Sequence, residues 1–114
     1  STARTLRQML ETVVQSGTGG KAEIVGYRVA GKTGTASRYD SKLHGYSGYV
    51  SSFVGMVPAE APRLVVAVTI NNPHGSHFGG EIAAPVFAAV TKFAIQNRQI
   101  RPSTAVAAKI PLLW

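Results

Sequence analysis

Two extended runs, Gly48–Val57 and Arg63–Asn71, are separated by only five residues, Pro58-Ala59-Glu60-Ala61-Pro62. A connection this short leaves consecutive strands side by side and antiparallel, so the middle of this 114-residue chain is committed to a sheet. In the first run Val50, Ser52, Val54 and Met56 alternate with Tyr49, Ser51, Phe53 and Gly55, as the pleat of a strand requires. In the second run both alternating sets are apolar from Leu64 to Val68, a pattern that predicts cover on both faces.

A third extended run, Tyr27 to about Ser37, comes earlier and carries Gly31-Lys32-Thr33-Gly34-Thr35. Alternation places Lys32 and Gly34 on one face and Thr33 and Thr35 on the other. On an edge strand beside a cleft, this set has a cation and two hydroxyls to hold a carboxylate and polarise a carbonyl. That is half of an acyl-transfer site. The stretch Ser37–Ser47 is polar and contains glycine, so it reads as a surface loop.

Helices flank the strands. Ala3, Leu6, Met9, Leu10, Val13 and Val14 recur at helical spacing, with Ser1 or Thr2 as the cap and Ser16-Gly17-Thr18-Gly19-Gly20 as the stop. Lys21–Gly26 reads as a connector. Asn72–Gly80, with Pro73, Gly75, Gly79 and Gly80, reads as a mobile bend. A second helix is predicted over Glu81–Asn97, its apolar stripe formed by Ile82, Pro85, Val86, Ala89, Val90, Phe93 and Ala94. Pro85 is tolerable in the first turn. The predicted fold class is therefore α+β: an antiparallel sheet of three strands with a helix at each end, over residues 1–97. A tail follows over 98–114, with Pro102 and Pro111, where Leu112, Leu113 and Trp114 are candidates for docking on a partner or for a frayed end. Three strands with a doubly apolar third strand call for more sheet or another helical layer beside them.

Twelve Lys and Arg against five acids give a net charge of +7, which favours anionic partners. The cations are scattered, and no aromatic-basic interleaving of the kind RNA modules use is present, so nucleic acid is not an expected partner. The alternative function from this charge is a non-catalytic basic module binding an anionic polymer such as cell wall or nucleic acid. The absence of cysteine excludes disulfides and thiolate chemistry. The longest apolar run, Leu64 to Ile70, is too short to span a bilayer. No signal peptide is visible, and a start at Ser1 without methionine points to a processed piece or part of a longer chain.

Two other motifs compete for attention. Gly26 to Thr33 matches the phosphate-loop pattern G-x-x-x-x-G-K-[ST]. Tyr27, Arg28 and Val29 favour extended structure over a phosphate cradle, and no apolar helical period follows. His74 and His77, with Glu81 nearby, do not fix three metal ligands, and no metal or other cofactor is expected. Tyr39, Tyr46 and Tyr49 suit either a substrate groove or packing at the sheet margin. Asp40 and His44 receive no role.

Val29-Ala30-Gly31-Lys32-Thr33-Gly34-Thr35-Ala36 resembles the Lys-Thr-Gly box of penicillin-binding proteins and serine β-lactamases. The flanking order also resembles the transpeptidase domains of class B penicillin-binding proteins. It comprises a helix over Thr2–Val14 and Gly17-Thr18-Gly19, the strands at Ser52–Pro58 and Arg63–Val68, and Gly79-Gly80-Glu81-Ile82-Ala83-Ala84-Pro85-Val86-Phe87. The resemblance covers about residues 1–97. It implies a β-lactamase/transpeptidase-like fold and a D,D-transpeptidase that cross-links peptidoglycan stem peptides and is acylated by β-lactams. By position, Lys32 would bring positive charge to the terminal D-alanine carboxylate and the catalytic network. Thr33 and Thr35 would hydrogen-bond that network and the carboxylate, Gly34 would let substrate backbone approach, and the Thr35 amide would be an oxyanion-hole donor. The family's Ser-x-x-Lys nucleophile motif and Ser-x-Asn motif are absent from this sequence. The resemblance thus implies the C-terminal part of such a domain, inactive alone and partnered by the upstream remainder. The parent protein would be held at the membrane by an anchor outside this chain, with its catalytic domain outside the cytoplasm.

Overall fold

Gly31 and Gly55 face each other across two neighbouring strands, and this bare pair decides where the sheet can be covered. A Cβ at Gly31 would lie 2.6 Å from the ring of Phe53, and one at Gly55 would lie 2.6 Å from the ring of Phe87. The two rings pack at a centroid distance of 4.7 Å, tilted by 55°, and both residues are fully buried. Pairs of this kind add about 0.5–1.5 kcal/mol beyond the area they bury.

The computed structural model describes residues 1–103. Its elements run α1 (Thr2–Ser16), β1 (Ala30–Asp40), β2 (Gly45–Val57), β3 (Leu64–Asn71) and α2 (Gly79–Arg98), with one 3-10 turn at Gly20–Ala22. The strands form an antiparallel sheet in the order β1-β2-β3, so the architecture is the predicted α+β arrangement. Both helices lie on the face carrying Gly31, Thr33, Thr35, Ser51, Phe53, Gly55 and Val57. On β3 the same face presents Leu64, Val66, Val68 and Ile70, all half-buried against the core. The opposite face, with Lys32, Gly34, Val54, Val65 and Ala67, is open: Val54 is 47% and Val65 70% exposed. The expected double cover of β3 is thus present on one face among the described residues.

The structure corrects three local expectations. The polar stretch Ser37–Ser47 is mostly strand, because β1 continues to Asp40 and β2 begins at Gly45. Tyr39 and Tyr46 pair across the ribbon edge-to-face at 5.8 Å, the Asp40 carboxylate accepts from the Lys42 amide at 2.9 Å, and Gly48 at φ +75° sits where the register shifts. A bulge residue in the left-handed region needs glycine. In α1, Ala3 and Leu6 are exposed, and the fully buried positions are Glu11, Thr12 and Val14. Glu11 is buried with its carboxylate paired to the Arg28 guanidinium. The third correction concerns α2. Its buried residues are Gly79, Ala83, Ala84, Phe87, Thr91 and Ile95, while Pro85, Val86, Ala89, Val90 and Phe93 are exposed. α2 is apolar nearly all round, so periodicity did not select a face; the small side chains Ala83 and Ala84 and the gap above Gly55 did.

The chain beyond α2 is tied back to the body. The Tyr27 hydroxyl donates to the Ile100 carbonyl at 2.6 Å, and the Ser103 amide donates to the Gly26 carbonyl at 2.9 Å. The expectation for Leu112, Leu113 and Trp114 lies outside the described residues.

Candidate active site

β1 is an edge strand of the described sheet, so alternate backbone N–H and C=O groups face away from β2. Lys32, Thr33, Gly34 and Thr35 all lie within it, paired with Val54, Phe53, Ser52 and Ser51. An extended Lys32-Thr33 with no helix following is incompatible with a phosphate loop, whose lysine opens a helix.

The predicted alternation holds. Thr33 and Thr35 line a cavity of about 480 Å³, while Lys32 rises from the open face and is solvent-exposed. The lysine nonetheless reaches the same hydroxyl cluster around the strand edge. Its Nζ donates to the Thr33 carbonyl at 3.1 Å and to Thr33 Oγ1 at 3.2 Å. A residue without an assigned role completes the cluster: Thr18 Oγ1 lies 3.1 Å from Thr33 Oγ1. Lys32, Thr33 and Thr18 therefore form one continuous polar chain from the strand edge to the end of α1. Thr18 sits in a run of glycines that reads as a helix stop, which masked any reading of its hydroxyl.

α2 closes the cavity from the other side. The Gly79 amide donates to Thr35 Oγ1 at 3.1 Å, and a Cβ at Gly79 would stand 2.4 Å from the Ser52 carbonyl oxygen. Phe78, Gly80 and Lys21 also line the space. The positive end of a helix dipole and two cations thus surround the threonine hydroxyls, and the only acidic side chain in the lining is Glu81, which accepts from Ser76 Oγ.

An aromatic run borders this end of β1. The Tyr49 and His77 rings stack at 3.9 Å, and His77 meets Phe78 at 4.4 Å. The Ser51 hydroxyl donates to the His77 carbonyl, so the bend between β3 and α2 is pinned to β2. His77 is engaged in this stack and Glu81 with Ser76; no cluster of three metal-ligating side chains occurs among the described residues. His44 and Asp40 lie at the far end of the ribbon.

The family model for the penicillin binding protein transpeptidase domain matches residues 1–92. The chain belongs to the penicillin-binding protein transpeptidase family. The stage V sporulation protein D of Bacillus subtilis is 39% identical over 102 residues, 89% of this chain and 16% of that protein. The peptidoglycan D,D-transpeptidase FtsI of Escherichia coli K12 is 39% identical over 104 residues, 90% of this chain and 18% of that protein. The chain thus spans less than a fifth of the length of these curated relatives. Solved structures agree with the fold. The apo transpeptidase domain of penicillin-binding protein 3 from Burkholderia pseudomallei is 42% identical, with a TM-score of 0.76 over 90% of this chain and 31% of that one. Penicillin-binding protein 3 from Mycobacterium tuberculosis, complexed with ampicillin, is 34% identical, with a TM-score of 0.77 over 92% of this chain and 26% of that one. Family membership agrees with the resemblance carried by the Lys32-Thr33-Gly34-Thr35 strand, and the sheet with its two helices is a penicillin-binding transpeptidase fold.

Proposed function

We propose that this chain is the C-terminal part of the catalytic domain of a serine-type peptidoglycan D,D-transpeptidase, and that β1 is the wall on which substrate and β-lactams are held. The observation that carries the reading is the convergence of the Lys32 ammonium and the Thr33 and Thr35 hydroxyls at one strand edge beside one cavity. Such a set suits the terminal carboxylate of a stem peptide. Lys32 supplies charge, the threonine hydroxyls donate, and Gly34, without a side chain, lets substrate backbone approach the strand. The Thr35 amide serves as an oxyanion-hole donor; comparable donors are worth about 2.7–4 kcal/mol in the transition state.

The nucleophile belongs to a segment outside this sequence. Its serine oxygen attacks the carbonyl of the penultimate D-alanine, the terminal D-alanine leaves with a proton, and an amine of a second stem takes the acyl group. The open sheet face bearing Lys32, Val54 and Val65 is the surface on which that segment packs: it carries the lysine and is apolar around it. The substrate places the parent protein outside the cytoplasm, with its membrane anchor elsewhere; none of the described helices is long and apolar enough to cross a membrane.

The test is acylation of the full-length protein by a fluorescent penicillin. Lys32→Ala should lower the acylation rate by on the order of 100-fold or more, with the melting temperature unchanged. Acylation of Lys32→Ala at the parent rate removes Lys32 from the site.

A further inference from the structure

Arg28 precedes the Lys32 strand segment by four residues, and every part of it is held. Its Nε donates to Glu11 Oε2 at 2.7 Å and its Nη2 to Glu11 Oε1 at 3.0 Å, a two-pronged contact whose planar geometry only arginine supplies. The Arg28 amide donates to Ser103 Oγ at 2.9 Å, and the Arg28 carbonyl accepts from the Ala59 amide at 2.7 Å. Ser103 Oγ also bonds Glu60 Oε1 at 2.9 Å, and Glu60 Oε2 lies 4.0 Å from Arg28 Nη1. One residue thus gathers α1, the β2–β3 turn and the segment after α2.

The buried member is Glu11, at 1% exposure. Burying a carboxylate is costly even when paired, and a hydrophobic pair of the same volume is often no worse for stability. Such a pair is best explained by the single geometry it enforces. The geometry here is a frame with two tethers. Glu11–Arg28 joins α1 to the chain entering β1, and Thr18–Thr33 joins the same two arms further along. The link between the tethers on the α1 side is stiff, because the Gly17 and Gly19 amides both donate to the Val13 carbonyl, at 3.0 and 3.1 Å. On the other side it is β1 itself.

We propose that Glu11 and Arg28 are positioning residues for the Lys32–Thr35 strand, holding α1 at the distance from β1 at which the Thr18 hydroxyl meets that of Thr33. This deepens the transpeptidase reading and rests on it for its catalytic consequence. Arg28 touches no substrate; it acts through the strand it anchors. The Glu11 hydrogen bond, and secondarily the Glu11 and Glu60 charges, hold the guanidinium in its charged form against the opposing effect of burial.

Amide hydrogen exchange on the full-length protein tests the tether, alongside penicillin acylation. Arg28→Lys keeps the charge and loses the fork; Glu11→Gln keeps the shape and loses the charge. Both should raise exchange about tenfold or more in peptides spanning 29–36 while leaving those from β3 unchanged, and both should slow acylation about tenfold. Unchanged exchange over 29–36, or an equal rise in β1 and β3, overturns the proposal by making the pair irrelevant or merely stabilising. Acylation at the parent rate despite a loosened strand overturns its link to chemistry. An unaltered protein that is not acylated at all counts against the transpeptidase reading, while the exchange result still decides whether the pair positions β1.

Discussion

Gly79 sits directly on the backbone of Gly34: a methyl group at Gly79 would stand 2.6 Å from the Gly34 carbonyl oxygen and 3.2 Å from its amide nitrogen. The first residue of α2 therefore touches the Lys-Thr-Gly segment without an intervening side chain. That approach lets the Gly79 amide reach Thr35 Oγ1 at 3.1 Å.

Gly79→Ala should accordingly push the start of α2 off β1. The atoms it meets are backbone carbonyls, which cannot move aside as a side chain would. Overpacking of this kind costs about 1–3 kcal/mol, and the Thr35 hydroxyl loses its donor. Thermal unfolding of the full-length protein should report the loss, together with slower penicillin acylation. A variant as stable as the parent would show that the helix start is free to retreat.

Phe87→Ala should be the more damaging change to the fold. The ring fills the gap above Gly55 and packs on Phe53, so its removal leaves a cavity between α2 and the sheet. Substitutions of this class cost about 3–5 kcal/mol. By contrast Phe93→Ala, at a position 70% exposed in this chain, should change the stability of the isolated 114-residue chain by less than about 0.5 kcal/mol. Denaturant unfolding of the two variants beside the parent chain separates them.

The contrast between Phe87 and Phe93 marks where the sequence was legible. Strand patterning located β2 and β3 because alternation and a five-residue connection leave few arrangements. The Lys32-Thr33-Gly34-Thr35 set was legible because its residue types are unusual together. The buried face of α2 was not: apolar residues occupy most positions, and the choice fell to the gap above Gly55 in β2, which local periodicity does not see. Tyr39 and Tyr46 were hidden for a related reason, since their pairing across the ribbon depends on a bulge at Gly48. Thr18 and Glu11 became visible as partners only through contacts with Thr33 and Arg28, 15 and 17 residues away.

The Glu11–Arg28 pair should be insensitive to alkali. Hydrogen bonding to Glu11 raises the Arg28 pKa above the ordinary arginine value. A raised pKa in a cation gives stability that is complete below the unfolded value and lost only as pH climbs through the folded one. For arginine that window lies beyond about pH 12. The difference in melting temperature between the parent protein and Arg28→Met should therefore stay constant from pH 7 to pH 11. A difference that shrinks within this range would mean that the pair is not held by the guanidinium charge.

Thr18→Val probes the polar chain at the strand edge. Valine preserves the shape of threonine and removes the hydroxyl that meets Thr33 Oγ1. Because the pair is exposed, the loss of one hydrogen bond should cost at most about 1 kcal/mol of stability. The effect on chemistry should be larger in proportion. Thr33 Oγ1 also accepts from Lys32 Nζ at 3.2 Å, and in the proposed function this hydroxyl faces a substrate carboxylate, so losing Thr18 should leave its orientation unfixed. A misplaced group next to a reacting centre can cost about 100-fold in rate, so a tenfold fall in penicillin acylation is the expected outcome, with Thr18→Ser close to the parent. Equal rates for the valine and serine variants would show that the Thr18 hydroxyl is a passive neighbour of the site.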